Sequence, residues 1–188
     1  MAGVAAGDRE AFAALYRRRR PDVYRFALHM TGVPAAAEDV AQDVFLAVIR
    51  EAGRYTPGRS GVLPWLLGIA RNHALRRLTE RRHEPLPGEG HEPRVTADPA
   101  DAVARGQEIE TLRAALAGLP VVYREALVLC DLQELSYQEA AEAAGCAIGT
   151  IRSRLHRGRH LLADTLRKGR WNETTASSNG ISRTRFAG

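Results

Sequence analysis

Residues 136–159 have the sequence SYQEAAEAAGCAIGTIRSRLHRGR, which predicts two short helices joined by a glycine turn. Ser136 and Glu139 form an S-x-x-E capping box, in which each side chain satisfies a backbone N–H group at the helix start. Gly145 follows the alanine-rich first helix and supplies the left-handed conformation that commonly ends a helix. The second helix begins at about Gly149. A short helix, a tight turn and a further helix are typical of a helix-turn-helix motif.

The second helix of this motif is basic. Residues 149–168 contain six basic side chains and one acidic side chain. We expect the apolar residues at helical spacing to form its buried face: Ile148, Ile151, Leu155 and Leu162. Side chains off this stripe can then reach base edges and phosphates in a DNA major groove. The candidate residues for contacting duplex DNA are Thr150, Arg152, Ser153, Arg154, His156 and Arg157. Arg154 and Arg159 fit phosphate contact or solvent exposure equally well.

Composition supports a polyanionic partner and excludes several classes of protein. The 188 residues leave room for one large or two small domains, and the net charge of +5 with a sequence pI of about 9.7 favours nucleic acid. Cys130 and Cys146 have no metal-ligand spacing, so we expect them to fill small core sites in a reduced, cytoplasmic protein. His156 and His160 have no further ligand at a matching spacing, so no metal or cofactor is expected. No apolar run reaches the roughly 18 residues that span a bilayer, so membrane insertion is not expected.

The chain divides into two helical parts. Residues 84–105 carry a net charge of −3, and the Pro/Gly-rich segment 84–106 has no apolar periodicity, so it is predicted to be a flexible linker. The polar tail 169–188 is predicted to be disordered. Strand signals are weak throughout. The sequence therefore predicts an all-α fold of two small helical bundles, 1–83 and 107–168, with helices at about 8–31, 35–53, 63–82, 106–117, 120–131, 136–144 and 149–167.

The predicted helix 35–53 is amphipathic and acidic. Val40, Val44, Ala47 and Val48 lie on one side of it, and the acidic residues cluster on the other. Negative charge in the first half stabilises the helix dipole, which is one explanation of this pattern. A mixture of acidic and exposed apolar residues is also typical of a protein-docking surface. The candidate docking residues are Glu38, Asp39, Gln42, Asp43, Leu46 and Ile49.

The predicted helix 63–82 is apolar on one side and becomes strongly basic towards its end. The loop 54–61, RYTPGRSG, precedes it and is also basic. A basic helix beside a basic loop suits a nucleic-acid backbone, including a separated strand. A solvated basic face is the simpler explanation, but a second basic site in the same chain argues against it. The candidate residues are Arg54, Tyr55, Arg59, Ser60, Arg71, Asn72, Arg76 and Arg77.

Three blocks in this order resemble the extracytoplasmic-function (group IV) sigma factors of the sigma-70 family. AEDVAQDVFLAVIR resembles region 2.2, and GVLPWLLGIARNHALRR resembles regions 2.3 and 2.4, including the core at Trp65, Leu66, Ile69, Ala70, Arg71 and Asn72. LPVVYREALVLCDLQELSYQEAAEAAGCAIGTIRSRLHRGR resembles region 4, and its GTIRSRLHRGR string is especially specific. The resemblance covers about 8–83 and 107–168.

The resemblance implies a bacterial promoter-specificity subunit that is not an enzyme. The acidic helix would bind core RNA polymerase at the β′ clamp. The protein would also contact the β flap of the polymerase. The C-terminal bundle would read the minus-35 promoter element, and the N-terminal bundle would recognise the minus-10 element and hold its non-template strand open. The loop 54–61 would capture a flipped base. The linker would pass through the polymerase near the RNA exit path, and an anti-sigma factor would restrain the protein.

Two other classes of function remain to be compared with this one. A stand-alone helix-turn-helix regulator would bind duplex DNA without polymerase, but it leaves the N-terminal bundle unexplained. An enzyme such as a nuclease would need a convergent cluster of carboxylates, His or Cys, and the sequence patterns predict none.

Overall fold

The computed structural model describes residues 1–56, 61–83 and 109–179, with side chains described up to residue 80 in the second segment and 168 in the third. Within these ranges every regular element is a helix, as the sequence predicts. The helices are α1 (Ala2–Ala5), α2 (Arg9–Thr31), α3 (Pro34–Glu51), α4 (Val62–His83), α5 (109–117), α6 (Val121–Leu127), α7 (Tyr137–Ala144) and α8 (Ile148–Asn179). A short 3-10 turn, Ala52–Arg54, follows α3, and a π-turn, Val128–Leu132, follows α6.

Helices α2, α3 and α4 form the N-terminal bundle. Asp8 caps α2 because its carboxylate accepts hydrogen bonds from the backbone N–H groups of Glu10 and Ala11, at 2.8 and 3.1 Å. Gly32 ends α2 at φ 72°, and Pro34 opens α3, where the missing N–H costs little. The apolar sides of the three helices meet in a core that includes Val23, Phe26, Met30, Val40, Val44, Val48, Leu66, Leu67 and Ala70.

The C-terminal bundle contains α5 to α8 and the predicted helix-turn-helix. The capping box of Ser136 and Glu139 is confirmed, with both reciprocal hydrogen bonds present, and Gly145 has the left-handed conformation at φ 63° and ψ 40°. The predicted buried face of α8 is confirmed at Ile151 and Leu155, which are both buried. Gly158 lets α8 approach α6, because a Cβ atom there would lie 3.1 Å from the Tyr123 carbonyl oxygen.

The structure corrects two expectations about the ends of the chain. Helix α8 continues to Asn179, so residues 169–179 are helical where the sequence predicts disorder. Polar residues lack the apolar periodicity that signals a packed helix, but they can still extend a helix that is already formed, because each added residue gains a hydrogen bond without a new nucleus. Helix α1 is likewise not predicted from the sequence. The linker 84–106 and residues 180–188 lie outside the described residues.

The two bundles contact one another directly, which the sequence does not predict. The larger core cluster joins the N-terminal bundle to Val128, Leu129, Ala140 and Ile151 of the C-terminal bundle. The contact runs mainly along α4 and α7. Gly68 of α4 faces α7, because a Cβ atom there would lie 3.4 Å from the Ala143 carbonyl oxygen, and the buried residues of α7 are all small: Ala140, Ala141, Ala143 and Ala144. Small side chains let the two helix backbones approach closely.

Candidate DNA and protein interfaces

The exposed face of α8 carries most of the residues predicted to contact duplex DNA. Arg152, Ser153, His156 and Arg157 are exposed, opposite the buried residues Ile151 and Leu155, because a period of 3.6 residues separates the two faces. Thr150 is half-buried at the start of the helix, and its carbonyl oxygen accepts a hydrogen bond from Ser153 Oγ at 3.0 Å. This face can present two guanidinium groups and an imidazole to a polyanion.

Two arginines of α8 are held away from this face. Arg154 is half-buried, and its Nη1 lies 3.9 Å from a carboxylate oxygen of Glu125. Arg159 binds Asp131 through two hydrogen bonds of 3.0 and 2.6 Å, a bidentate geometry that fixes the side chain against the end of the π-turn. Of the six predicted residues, Arg154 is therefore the one that the structure separates from the rest.

The residues predicted to bind a separated strand fall into two groups on α4. Arg71 and Asn72 line a cleft of about 420 Å³ together with Tyr55 and Trp65, whose rings meet edge to face at 5.3 Å. Arg76 and Arg77 instead turn towards α3. Arg54 is exposed beside the cleft, whereas Arg59 and Ser60 lie outside the described residues. Aromatic rings beside an arginine and an amide can stack on a base and bind its polar edge.

The predicted docking residues on α3 also separate into two groups. Glu38, Gln42, Leu46 and Ile49 line a groove of about 390 Å³ between α2 and α3. Leu46 is 45% exposed and Ile49 is 59% exposed, and the two lie one helical turn apart on the same groove, as adjacent apolar residues of a docking surface do. Glu38 pairs with Arg20 at 2.6 Å on the rim of this groove.

Asp39 and Asp43 face α4 rather than the groove. Asp43 lies 3.4 Å from His73, 3.4 Å from Arg76 and 3.6 Å from Arg77, and Asp39 lies 3.6 Å from Arg77. These carboxylates therefore orient arginines that the sequence assigns to nucleic-acid binding. Surface ion pairs of this kind contribute little to stability, but a network restricts where the arginine side chains point.

Two sets of residues that shape these surfaces are not predicted from the sequence. The floor of the α2–α3 groove is aromatic: Phe12, Tyr16 and Phe45 are in mutual contact, with the Tyr16 and Phe45 ring centroids 4.8 Å apart. The helical spacing of Phe12 and Tyr16 on α2 was a usable signal. Glu125 is the second, a carboxylate only 1% exposed that accepts a hydrogen bond from Arg71 Nε. Burial raises the pKa of Glu125, and the two nearby guanidinium groups of Arg71 and Arg154 oppose that shift.

Cys130 lies in an unreactive setting. It is half-buried beside a smaller core cluster that includes Leu116, Leu127 and Leu155, and its burial, together with the charge of Asp131, raises its pKa to about 11. Cys146 is also half-buried and packs against the larger cluster.

Among the described residues, no group of three or more His, Cys, Asp or Glu side chains could hold a metal ion. In the same ranges, every helix is too short or too polar to cross a lipid bilayer.

Comparison with protein families gives two matches, one within each helical bundle. The family model for Sigma-70 region 2 matches residues 15–84, and that for Sigma-70, region 4 matches residues 109–162. Both matches contain surfaces described above. The first includes the α2–α3 groove and α4, and the second includes the helix-turn-helix.

The chain is similar to curated proteins that are named RNA polymerase sigma factors. The chain is 37% identical over 171 residues to the ECF RNA polymerase sigma factor SigE of Mycolicibacterium smegmatis, covering 87% of this chain but only 66% of that relative's length. It is 37% identical over 162 residues to the ECF RNA polymerase sigma factor SigC of Mycobacterium tuberculosis, covering 85% of this chain and 86% of the relative. The RNA polymerase sigma factor CarQ of Myxococcus xanthus is 36% identical over 163 residues, at 85% and 91% coverage.

Solved structures agree with these names. The sigma factor RpoE of Bartonella quintana, solved in complex with the anti-sigma factor NepR, superposes with a TM-score of 0.69 at 25% identity, covering 84% of this chain and 98% of that one. CnrH, solved in complex with the cytosolic domain of CnrY, superposes with a TM-score of 0.67 at 26% identity, covering 89% and 94%. Since two family models and several relatives above 30% identity agree over both bundles, the chain belongs to the extracytoplasmic-function sigma factors of the sigma-70 family.

Proposed function

We propose that this chain binds core RNA polymerase in the bacterial cytoplasm and directs promoter-specific initiation of transcription. The observation that carries the proposal is the presence, in one chain, of both sigma-70 regions, each with an exposed surface suited to its partner. A stand-alone helix-turn-helix regulator would need only the second region. Members of this family are transcription initiation factors rather than enzymes.

The proposed minus-35 surface is the exposed face of α8. Arg152 and Arg157 have the donors for bidentate contact to guanine, and Ser153 and His156 can bind base edges or phosphates. Thr150 and Arg154 are proposed to contact the flanking backbone. Arg154 can do so only after leaving Glu125, from which its Nη1 is 3.9 Å away. The C-terminal domain that carries this surface is proposed to span 107–168.

The proposed minus-10 surface lies on the N-terminal domain, residues 1–83. Tyr55, Trp65, Arg71 and Asn72, which form the N-terminal side of the cleft, supply aromatic rings and polar groups that suit an unstacked base. Arg54, Arg59 and Ser60 would extend this surface along the loop 54–61. Arg76 and Arg77 would bind the adjacent phosphates, with their orientation supported by Asp39 and Asp43.

The proposed polymerase-docking surface is the α2–α3 groove. Its exposed Leu46 and Ile49 above an aromatic floor suit an apolar ridge on a partner helix, as expected for the β′ clamp, and the rim residues Glu38 and Gln42 can bind polar groups beside that ridge. A contact of the C-terminal domain with the β flap and restraint by an anti-sigma factor are part of the same proposal. The sigma factor RpoE of Bartonella quintana was solved in complex with the anti-sigma factor NepR, and CnrH was solved in complex with the cytosolic domain of CnrY.

The test is run-off transcription with purified chain, bacterial core RNA polymerase and a library of genomic fragments. The expected result is a stable complex with core and a limited set of transcripts that share two spaced elements. A chain that retains duplex DNA by itself but neither binds core nor yields specific transcripts would instead be a stand-alone regulator.

A further inference from the structure

Arg152, which is proposed to read the minus-35 element, lies over an aromatic ring from the other helix of the helix-turn-helix. Its Cζ atom is 5.5 Å from the centroid of the Tyr137 ring. That distance is within the roughly 6 Å over which the face of an aromatic ring attracts a guanidinium group. Tyr137 is 41% exposed, so its ring lies at the same surface as the guanidinium group.

The backbone that carries this ring is fixed by the capping box of α7. Tyr137 is the first residue of α7 and directly follows the N-cap residue Ser136. The backbone N–H of Ser136 donates to Glu139 Oε2 at 2.9 Å, and the Ser136 hydroxyl donates to the same oxygen at 2.7 Å. These local hydrogen bonds hold the start of the helix in one conformation. The ring therefore projects from a defined position on the surface.

Carboxylates, rather than a ring, hold two other arginines of α8. Arg154 Nη1 lies 3.9 Å from a carboxylate oxygen of Glu125, and Arg159 is bound bidentately by Asp131. A carboxylate occupies the N–H donors that a guanine would need. An aromatic ring instead contacts the face of the guanidinium group and leaves the donors at its edge free. Arg152 is therefore oriented without losing its donors.

Such orientation affects which base is preferred as well as how tightly DNA binds. An arginine with free rotamers loses that freedom when it forms two parallel hydrogen bonds to the O6 and N7 atoms of guanine. A side chain that is already restricted before DNA arrives loses less, so more of the contact appears as affinity. Only a base with matching acceptors gains from this restriction, and discrimination against the other bases rises accordingly.

We propose that Tyr137 is a positioning residue that orients Arg152 towards a guanine of the minus-35 duplex and so strengthens the base preference at that position. The proposal rests on the proposed function for the identity of the DNA surface. Tyr137 acts through the face of its ring, by its contact with Arg152, and its hydroxyl group is not required. The pair connects the two helices of the motif, because Tyr137 begins α7 and Arg152 lies in the second turn of α8.

The test measures base preference at each position of the DNA. Holoenzyme assembled from core RNA polymerase and the full-length chain is incubated with a random-sequence duplex library, and the bound DNA is sequenced. Tyr137→Leu removes the ring and keeps helix propensity, whereas the matched control Tyr137→Phe keeps the ring and removes only the hydroxyl. Arg152→Ala identifies the base position that Arg152 reads, and Arg157→Ala identifies positions that do not depend on the pair.

The expected loss follows from the strength of a cation–π contact at an exposed site. Arg152→Ala should abolish the preference for guanine at one position, and Tyr137→Leu should reduce it there about two- to fivefold. Tyr137→Phe should retain the wild-type preference. Positions that depend on Arg157 should be unchanged in both Tyr137 variants. In the Arg152→Ala background, Tyr137→Leu should change nothing further, because the pair no longer exists.

Four results would overturn the proposal. The first is an unchanged preference in Tyr137→Leu, and the second is a loss in Tyr137→Phe as large as in Tyr137→Leu, since the hydroxyl would then be the acting group. The third is an equal loss at every position, since the ring would then support only the fold. The fourth is a wild-type preference that does not depend on Arg152. Should a urea titration show that Tyr137→Leu folds poorly, Tyr137→Gln removes the ring at the same exposed place, and the same outcomes decide.

The wild-type result separates this proposal from the proposed function. Defined sequences enriched equally by wild-type and Tyr137→Leu holoenzyme would leave the proposed function standing and remove the role of Tyr137. A wild type that enriches nothing with core polymerase would remove the proposed function, and the library is then bound by the full-length chain alone. Enrichment that depends on both Tyr137 and Arg152 would keep the positioning role in a stand-alone regulator, and an absence of enrichment would remove both proposals.

Discussion

Replacing the two exposed apolar residues of the α2–α3 groove tests the docking surface most directly. The double variant Leu46→Gln, Ile49→Gln loses no helix propensity, because glutamine forms helices as well as leucine and better than isoleucine, but it removes the apolar contact. Fully burying a leucine or isoleucine side chain is worth about 1.5–3 kcal/mol. With Leu46 45% and Ile49 59% exposed, complete coverage by a partner would bury enough additional surface for about 1.6–3.1 kcal/mol in total. The dissociation constant for core polymerase should therefore rise roughly 10- to 200-fold.

The assay is competition of unlabelled variant against fluorescently labelled wild type for core RNA polymerase. Because both residues face solvent, the free energy of unfolding should change by less than about 0.5 kcal/mol, which a urea titration checks. The matched control is Leu161→Gln, since Leu161 is 38% exposed but lies on α8 of the other bundle. Unchanged affinity of the double variant, at unchanged stability, would show that core polymerase binds elsewhere. Asp39 and Asp43 are less suitable for this test, because they pair with arginines of α4.

Three further predictions concern the C-terminal bundle. Arg157→Ala should reduce minus-35-dependent transcription by about 1–3 kcal/mol, roughly 5- to 150-fold, if Arg157 pairs with guanine, and equal transcription would remove it from that surface. Gly145→Ala should lower the free energy of unfolding by about 1–2 kcal/mol, measured by urea titration, because φ is 63° at this turn; no loss would mean that the turn relaxes. The free energy of unfolding should fall as pH rises from the ordinary glutamate pKa of 4.5 through the raised pKa of Glu125, because the folded state retains that proton longer. Glu125→Gln should remove this part of the pH profile, and an identical profile in the variant would contradict the assigned cause.

The local features of this fold are readable from the sequence because they depend on neighbours within about one helical turn. Ser136 with Glu139, and Gly145 after an alanine run, define the start and end of α7 through backbone hydrogen bonds within a few residues. The spacing of Ile151 and Leu155 determines which side of α8 is buried, and so which side presents Arg152 and Arg157. The roles of these residues in DNA binding stay predictions.

The contact between the bundles has no such local signal. Arg71 and Glu125 are 54 residues apart in the chain, and only the packing of the two bundles, mainly α4 against α7, brings them together. The same is true of Asp43, whose place in an acidic helix suggests an outward docking role, whereas the crossing of α3 and α4 turns it towards Arg76 and Arg77. Helical periodicity determines which residues share a face. Which helix then covers that face depends on the total free energy of packing all the helices, and pairs distant in sequence contribute to that sum only once the chain has folded.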